Sequence, residues 1–466
     1  MAELHAKKLE HLPQDAMEGL QILSCFDSQF DVHGVDLEVI EAVKNYDAID
    51  SKNIVMALDS ATKDFLHFYG STVAFSHDLI QKIIFEQIPD QTGLLLKLIK
   101  CCVAKCQVVS SGKDMYVFAA ANLMNKIGND YTSSNPQQRQ LFAEYNLETG
   151  KRLINQAKFV AALSYLQIGL ELLSAQGNSW DSNYSLITGI VSNMAVANYS
   201  LGNLEECFAQ ANEVFDKAKV FEDKFLAYIV YIKVVGSQSA DAAIEKLVFL
   251  LPVVGEPIDL NAISQQMAVD EMMTLKEALS GNRKDIMLQL SPITDKSVLM
   301  TMKLMALLLL FISQKETYLS GYLASRMIQI SLKYGQCEDT LYAMATFSSS
   351  FIVNDVDEAY ALANLTLSMM QFYNVNELIP RLYGHIYGNV LSIKNTVQST
   401  LNPLSNACHL AFSRGLHEHA IPNTLAYILK TIESGKKLSF LIDELVLLTE
   451  KHVSIYLNLR FLNDVI

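Results

Sequence analysis

Proline and glycine are scarce in this chain of 466 residues, which contains 9 prolines and 20 glycines. Together they make up about 6% of the chain, roughly half of their usual share. Because these residues interrupt helices, their scarcity predicts long helices joined by short connections. Charged residues are also few, at 18%, whereas half of the chain is apolar. This composition excludes disorder as the main state, since disordered chains are poor in apolar residues.

Positive charge is in short supply as well. Lys and Arg number 36 against 50 Asp and Glu, which gives a formal net charge of −14 at pH 7. A surface that binds the phosphates of nucleic acid or of an anionic membrane needs the opposite balance. We therefore expect protein partners and no nucleic acid.

Long apolar runs are missing too. The most apolar stretch, LMALLLLFI at 304–312, follows Lys303. As a helix it would span ~14 Å, about half of the hydrocarbon core of a bilayer, so it predicts a buried helix and no membrane span. The first fifteen residues, MAELHAKKLEHLPQD, lack the apolar core of a signal peptide. The chain is therefore predicted to be cytoplasmic.

The seven cysteines form no recognisable disulfide or zinc pattern. They are odd in number and contain no C-x-x-C pair. The spacing of Cys101, Cys102 and Cys106 is not that of zinc ligands. Scattered cysteines in apolar helical sequence predict buried, reduced thiols.

The histidines predict no metal centre either. Cys408 and His409 lie near His417 and His419 in the sequence. Residues two apart on a helix point in different directions, so His417 and His419 are not expected to chelate one ion. His385, between two tyrosines, is predicted to be a packed core residue. No metal site is expected on this chain.

Recognisable catalytic motifs are absent from the sequence. A P-loop needs a glycine five residues before its Gly-Lys-Ser/Thr, and none of the Gly-Lys pairs at 112–113, 150–151 and 435–436 meets this requirement. The kinase signatures, the nucleotide-binding glycine pattern and the Glu-x-x-His pairs of di-iron bundles are missing. The acidic sequence NDVDE at 354–358 is interpreted as a helix N-terminus, where carboxylates favour the helix dipole. We predict that the chain is not an enzyme and carries no cofactor.

The first ninety residues predict a small winged-helix module, over 1–90. Amphipathic patterns indicate three short helices, at about 14–24, 35–46 and 52–66. Apolar residues then alternate on either side of Gly70-Ser71, which predicts a β-hairpin. A further helix at about 77–88 stops before Pro89. Helices, a two-stranded wing and another helix are typical of this module.

Residues 91–137 are predicted to form a helical linker. They contain an apolar helix at about 92–108 and a shorter helix near 114–126. The polar stretch 128–138, rich in Ser and Asn, is the best candidate for a connecting loop.

From 138 to 466 the pattern is helix after helix. In the first predicted pair, at 139–156 and 159–175, the small residues Gly150, Ala162 and Gly169 are 12 and 7 residues apart. Tetratricopeptide hairpins need small side chains at such spacings, because their two helices approach closely there.

Two later helix pairs repeat this separation. Aligned on Gly202 and on Gly415, they place small residues 12 apart, at Ala195 and Cys207 and at Cys408 and Ala420. The segment 355–372 is interpreted as a degenerate second helix of the same kind. The predicted fold class is therefore all-α, with an irregular tetratricopeptide-like α-solenoid after the winged helix. In such arrays each hairpin buries its apolar face against its neighbours.

Two segments of the predicted module are distinctive, FSHDLIQKIIFEQIP at 75–89 and LPQDAMEGLQILSCFDSQFD at 12–31. The first is similar to the F-x-H segment that ends the winged helix of the STAND class of signalling ATPases, and the second is similar to the beginning of that winged helix. Residues 143–173, then Ser179-Trp180 with Tyr184, and 333–347 resemble their tetratricopeptide-like sensor. The combination is similar to multidomain proteins that join a serine/threonine-kinase-like domain, a predicted AAA-type ATPase, a helical array, often a GAF domain, and a histidine kinase.

The resemblance has two implications. The P-loop domain of the family would precede residue 1 and the histidine kinase would follow residue 466, so we expect a fragment, a split gene product or a decayed paralogue. In related nucleotide switches the histidine of the F-x-H motif faces the nucleotide phosphates, which implies a nucleotide-sensing role for His77. The alternative is that His77 only caps or packs its helix.

These features predict a regulatory function without catalysis. We expect a sensor and protein-interaction arm, coupled through a winged helix to an ATPase or kinase module of a phosphorelay. The first alternative is a free-standing tetratricopeptide-like scaffold that binds peptides or protein helices. The second is an all-helical enzyme with an unrecognised site. The sequence marks out no binding surface.

Overall fold

The computed structural model describes residues 12–26, 34–44, 65–108, 114–128, 135–174, 179–279, 283–313 and 315–437, together with 439, 442, 443 and 446. The fold is all-α apart from one small sheet within these residues. The chain divides into two compact units. The first unit comprises 1–197 and 216–218, and the second comprises 198–215 and 219–466.

The first unit contains the sheet and most of the predicted module and linker. Its elements, up to the helix in which the division falls, are α1 (Gln14–Ser24), β1 (Val35–Asp36), α2 (Leu37–Lys44), β2 (Leu66–Tyr69), β3 (Thr72–Phe75), α3 (Asp78–Glu86), α4 (Gln91–Val108), α5 (Asp114–Ile127), α6 (Pro136–Asn155), α7 (Phe159–Ser174), α8 (Ser179–Ser182) and α9 (Tyr184–Leu201).

The sheet is antiparallel, with strand order β1-β3-β2. The predicted hairpin is confirmed, because β2 and β3 pair across Gly70-Ser71, with Gly70 in the left-handed region at φ +63°. The prediction of a helix from 35 is wrong at its start. Val35 pairs with Val73 in the sheet, and α2 begins only at Leu37.

The predicted helix 52–66 lies outside the described residues, except for its end. There Phe65 is helical as predicted, whereas Leu66 already belongs to β2 and pairs with Phe75. The predicted helices at 14–24, 77–88, 92–108 and 114–126 are confirmed to within two residues at each end. They are long, amphipathic segments, in which local pattern and burial agree.

One apolar core runs through the first unit. It joins residues from all the predicted segments, including Leu20, Ile84, Leu98, Leu123 and Phe142. The helices of the predicted linker therefore pack into the same core as α1 and α3. The predicted boundaries at 90 and 137 lie inside this unit and stay predictions.

Close helix packing in the first unit depends on glycine. A Cβ added at Gly150 of α6 would lie 2.6 Å from Cγ of Leu166 on α7, which is too close for any side chain. At Gly169 of α7 an added Cβ would meet Ile190 of α9 at 3.2 Å. Small residues therefore allow α7 to approach both of its neighbours, as the predicted spacing requires.

The second unit is a succession of packed helices with one large apolar core. After the end of α9, its helices are α10 (Leu204–Lys217), α11 (Phe221–Gln238), α12 (Ala240–Leu250), α13 (Gln265–Ala278), α14 (Arg283–Leu288), α15 (Lys296–Ile312), α16 (Thr317–Tyr334), α17 (Glu338–Phe351), α18 (Val356–Tyr373), α19 (Ile379–Tyr383), α20 (Ser392–Lys394), α21 (Val397–Ser413) and α22 (His417–Glu433). Short 3₁₀ turns occupy Leu251–Val254, Leu260–Ala262 and Asn376–Leu378, and a π-helix occupies Gly384–Leu391.

The two later helix pairs were aligned on Gly202 and Gly415. Each of these glycines stands between two helices in the left-handed region, at φ +81° and +61°. Helix α15 contains the apolar stretch 304–312, which is fully buried, so the prediction of a buried helix there is confirmed. In the part of the chain that is described, no helix combines the length and apolarity that crossing a membrane requires.

Candidate binding site in the second unit

Five charged side chains meet in the interior of the second unit. They come from five helices: Lys233 of α11, Lys303 of α15, Asp339 of α17, Arg381 of α19 and Glu418 of α22. Charges are costly to remove from water unless they are paired and hydrogen-bonded. We call these five residues the charge cluster.

Asp339 forms one end of the charge cluster. Its carboxylate oxygen Oδ1 accepts a hydrogen bond from Nη2 of Arg381, and the same oxygen lies 3.8 Å from Nζ of Lys303. Only 9% of the Asp339 side chain is exposed. Burial by itself raises the pKa of this carboxyl, but the positive charges of Lys303 and Arg381 outweigh burial and lower it. Asp339 is therefore ionised at neutral pH.

Glu418 forms the other end. Its Oε1 lies 2.6 Å from Nζ of Lys233, and its Oε2 accepts a hydrogen bond of 2.9 Å from the hydroxyl of Tyr199. With 6% of its side chain exposed, burial works to raise the pKa of Glu418, yet Lys233 lowers it far below the usual range. Burial and the Glu418 charge together raise the pKa of Tyr199. The phenol therefore stays protonated and acts as a donor.

An aromatic and imidazole layer separates the two ends. The ring of Tyr342 lies beneath the Arg381 guanidinium at 4.9 Å and makes edge contacts with His385 and His419, at 5.7 and 5.9 Å. Burial lowers the pKa of His385 to about 4 and that of His419 to about 3. Both imidazoles are therefore neutral at pH 7 and add no charge to the cluster.

Irregular backbone brings His385 to this layer. His385 lies in the π-helix Gly384–Leu391, a rare conformation that often occurs at functional sites. Next to it, the buried Asn423 of α22 donates hydrogen bonds to the carbonyls of Pro380 and His419, at 2.6 and 2.8 Å. The prediction that His385 is a packed residue agrees with its contact with Tyr342.

The charge cluster is unbalanced. It contains three cations and two carboxylates, and the two imidazoles beside it are neutral. Arg381 pairs with Asp339 and Lys233 pairs with Glu418. Lys303 has only Oδ1 of Asp339 near it within the cluster, and Arg381 lies closer to that oxygen than Lys303 does.

A cleft of about 470 Å³ opens at Lys303. Its lining residues come from α11, α15, the N-terminal end of α17 and the loops before α15 and α17: Phe225, Pro292, Ile293, Leu299, Met300, Lys303, Gln336, Cys337, Glu338 and Asp339. The volume lies in the range of small-molecule sites, which are mostly apolar with a few placed polar groups. The cleft and the charge cluster share Lys303 and Asp339 and form one candidate site.

The predicted nucleotide-sensing residue, His77, lies in the first unit. It is the N-cap residue of α3, and its Nδ1 accepts a hydrogen bond of 3.4 Å from the backbone N–H of Leu79. Its side chain is exposed, and Asp78 follows in the first turn of the helix. This geometry fits the capping alternative. The nucleotide-sensing role stays a prediction.

The residues that were interpreted as structural have structural surroundings. Cys408 is buried, His409 is exposed, and Nε2 of His417 lies 3.1 Å from the carbonyl oxygen of Ser200. Among the described residues, no group of His, Cys, Asp or Glu is arranged to hold a metal ion. Asp355 caps the N-terminus of α18 by accepting a hydrogen bond from the N–H of Glu358, which confirms the interpretation of 354–358.

All seven cysteines lie within the described residues, and none of them forms a disulfide. Cys25, Cys101, Cys102, Cys207 and Cys408 are buried, and Cys106 and Cys337 are half-buried. Burial raises the pKa of Cys207 to about 12, so this thiol is not a nucleophile at neutral pH.

Sequence reasoning missed the charge cluster as a site. Of its five members, only Lys303 was noted, as the residue before an apolar run. Charged residues are normally exposed, and a sequence does not show which of them lose that exposure. The one usable signal is the position of Lys303, which directly precedes the most apolar stretch of the chain.

Comparison with known proteins adds a remote likeness to solved structures. No protein-family profile matches the chain, and no curated protein matches it. One similar solved structure is that of a Signal Transduction ATPase with Numerous Domains (STAND) protein with a tetratricopeptide repeat sensor, from Pyrococcus horikoshii. It is 14% identical, with a TM-score of 0.41, over 99% of this chain and 62% of that chain. The chain thus spans less than two thirds of that protein.

Proposed function

We propose that this chain is a regulatory sensor and protein-interaction region that works with a STAND-type signalling ATPase and catalyses no reaction itself. One observation carries the proposal: packed helices of the second unit assemble a cleft lined by Lys303 and Asp339, and the carboxylates, imidazoles and phenols of the charge cluster and its aromatic layer are each held in one protonation state. The carboxylates have lowered pKa values, the imidazoles are neutral and the phenols have raised pKa values.

Locked protonation states favour binding over acid–base catalysis. A general acid or base works best when its pKa lies near the pH of the reaction. The carboxylates, imidazoles and phenols of the charge cluster and its aromatic layer have pKa values that move away from neutrality. This argues against acid–base catalysis by these groups.

The first unit supports the coupling part of the proposal. Its described elements up to α3 follow the order α1-β1-α2-β2-β3-α3, and the β2–β3 hairpin is the pair of strands that the proposal takes as the wing. Helix α3 begins at the exposed His77, where the resemblance implies contact with nucleotide phosphates. The proposal also includes a phosphorelay, in which a histidine kinase would be a further partner.

A matched pair of His77 variants separates sensing from capping. Asn is among the best N-cap residues, so His77→Asn removes the imidazole and keeps the cap, whereas His77→Ala removes both. We expect the full chain to bind a purified STAND-type P-loop ATPase domain with an affinity that differs between ATP, ADP and no nucleotide. Both variants should abolish this difference, which titration calorimetry would measure.

The outcomes distinguish the proposal from the scaffold alternative. If only His77→Ala weakens binding, and to the same degree in every nucleotide state, His77 is a cap and the nucleotide-sensing role is wrong. If the affinity is the same with and without nucleotide for the original chain, the coupling to an ATPase is wrong. The free-standing scaffold would then be the better description.

A further inference from the structure

The cleft in the second unit has two chemically distinct parts. Its walls are formed by apolar side chains, with Phe225 of α11 on one side and Leu299 and Met300 of α15 on another. Lys303 and Asp339, which belong to the charge cluster, line the same cleft. A ligand that fills it would meet both apolar surface and charge.

Lys303 is the only cation among the residues that line this cleft. Its ammonium lies 3.8 Å from Oδ1 of Asp339, beyond hydrogen-bond distance, whereas Arg381 donates a hydrogen bond to the same oxygen. The side chain of Lys303 is 39% exposed, in contrast to 9% for Asp339. An ammonium group carries three donors, so Lys303 retains donor capacity toward the cleft.

The electrostatic surroundings of Lys303 favour an added negative charge. Asp339 and, less strongly, Glu338 raise the pKa of Lys303, but burial and the positive charges of Arg381 and Lys233 outweigh them and lower the pKa. The protonated lysine is thus held in a place where positive charge is unfavourable. An anion beside Nζ would relieve this and raise the pKa again.

The same cleft disfavours a doubly charged anion. Glu338, which is exposed, and Asp339 both line it, so a phosphate dianion would be repelled by two carboxylates near one ammonium. A carboxylate brings a single negative charge and two acceptor oxygens.

We propose that this cleft binds a monocarboxylate with an apolar body. The carboxylate pairs with Lys303, and the body packs against Phe225, Leu299 and Met300. Such a group could come from a free organic acid or from a protein segment that presents a carboxylate next to apolar side chains. This inference deepens the proposed function, on which its regulatory meaning rests.

Binding to the full chain tests the proposal with three matched probes, octanoate, octanol and octyl phosphate, followed by titration calorimetry. Octanoate should bind about tenfold or more tightly than octanol, the size expected for one hydrogen-bonded charge pair, and more tightly than octyl phosphate. At alkaline pH, octanoate binding should take up protons, because the carboxylate raises the pKa of Lys303.

Variants assign the effect to the two parts of the cleft. Lys303→Met keeps the aliphatic stem and should remove the advantage of octanoate over octanol, together with the proton uptake. Leu299→Ser should weaken both probes. Lys394→Met is the matched control, because Lys394 has a similar exposure, 37%, and lies in the same unit outside the cleft.

A peptide arm distinguishes the two sources of the carboxylate. An acetylated leucine dipeptide with a free C-terminus should compete with octanoate, and its C-terminal amide should not, if a protein segment is the ligand. If octanoate binds and neither peptide competes, the ligand is a free acid. Equal octanoate affinity in Lys303→Met, or tighter binding of octyl phosphate, would overturn the inference. The experiment with the ATPase domain uses no variant of the cleft. A negative result with octanoate therefore contradicts only this inference, and the coupling to an ATPase is tested separately by the His77 variants.

Discussion

The two compact units stabilise their interiors with different chemistry. In the first unit the buried polar contact between α5 and α6 is neutral: the amides of Asn125 and Asn146 exchange two hydrogen bonds of 2.9 Å. In the second unit a buried polar contact is made by ionised groups: Glu418 pairs with Lys233 and accepts a hydrogen bond from Tyr199. Neutral amides are satisfied by geometry alone, whereas buried ions also require charge balance. The second unit is therefore the one in which an unbalanced charge can prepare a binding site.

The largest effect is expected from removing the charge of Glu418, because this breaks the buried ion pair that distinguishes the second unit from the first. Glu418→Gln keeps the shape and leaves Lys233 buried without a counter-charge, so the free energy of unfolding should fall by about 3–5 kcal/mol. Chemical denaturation would measure the change. Asp241→Asn is the control, since it removes an exposed ion pair with Lys315 from the same unit and should change stability little.

A double variant sharpens the first prediction. Lys233→Met combined with Glu418→Gln removes both charges and should recover most of the loss, because the penalty comes from the unpaired ion. If the double variant is as unstable as Glu418→Gln alone, the loss does not come from the unpaired charge of Lys233.

Acid should destabilise the second unit through its neutral imidazoles. The unfolded chain binds a proton at His419 below about pH 6.5, whereas the folded chain does so only near pH 3. Stability is therefore lost as pH falls, by about 3 kcal/mol between pH 6.5 and 4. Denaturation curves at several pH values would show this slope. His419→Gln should reduce it, and the exposed His409→Gln is the control.

A smaller effect is expected in the first unit, where helices α6 and α7 approach each other closely at Gly150. Gly150→Ala places a Cβ 2.6 Å from Cγ of Leu166, and the overlap should cost about 1–3 kcal/mol. Thermal unfolding would measure this cost. Gly150→Ala with Leu166→Ala should cost less than the sum of the single changes, because the shortened side chain makes room. An additive result would show that α6 and α7 do not clash at this point.

Local features of this fold were predictable, and long-range ones were not. The hairpin at Gly70-Ser71 and the left-handed turns at Gly202 and Gly415 follow from residues within a few positions of each other. Strand β1 was missed because two residues, Val35 and Asp36, form it only by pairing with β3. Pairing over such a distance leaves no periodic trace in the sequence.

The candidate site shows the same division. Lys233 and Glu418 are 185 positions apart, and Asp339 and Arg381 are 42 apart, so no window of sequence contains a pair. Charges in helical sequence are ordinarily solvated, and that expectation holds until packing removes the water. The pKa shifts of the cluster arise from the same loss of water and the same neighbours.

Composition and periodicity by themselves determined the helical nature of this chain, its buried apolar helix and its short glycine turns, because each depends on forces that act over one or two turns of backbone. Which charges are buried, which oxygen Arg381 and Lys303 share, and that the remaining positive charge faces a cleft were decided only in the tertiary structure. These features depend on distances between helices far apart along the chain, and on the water that their packing excludes.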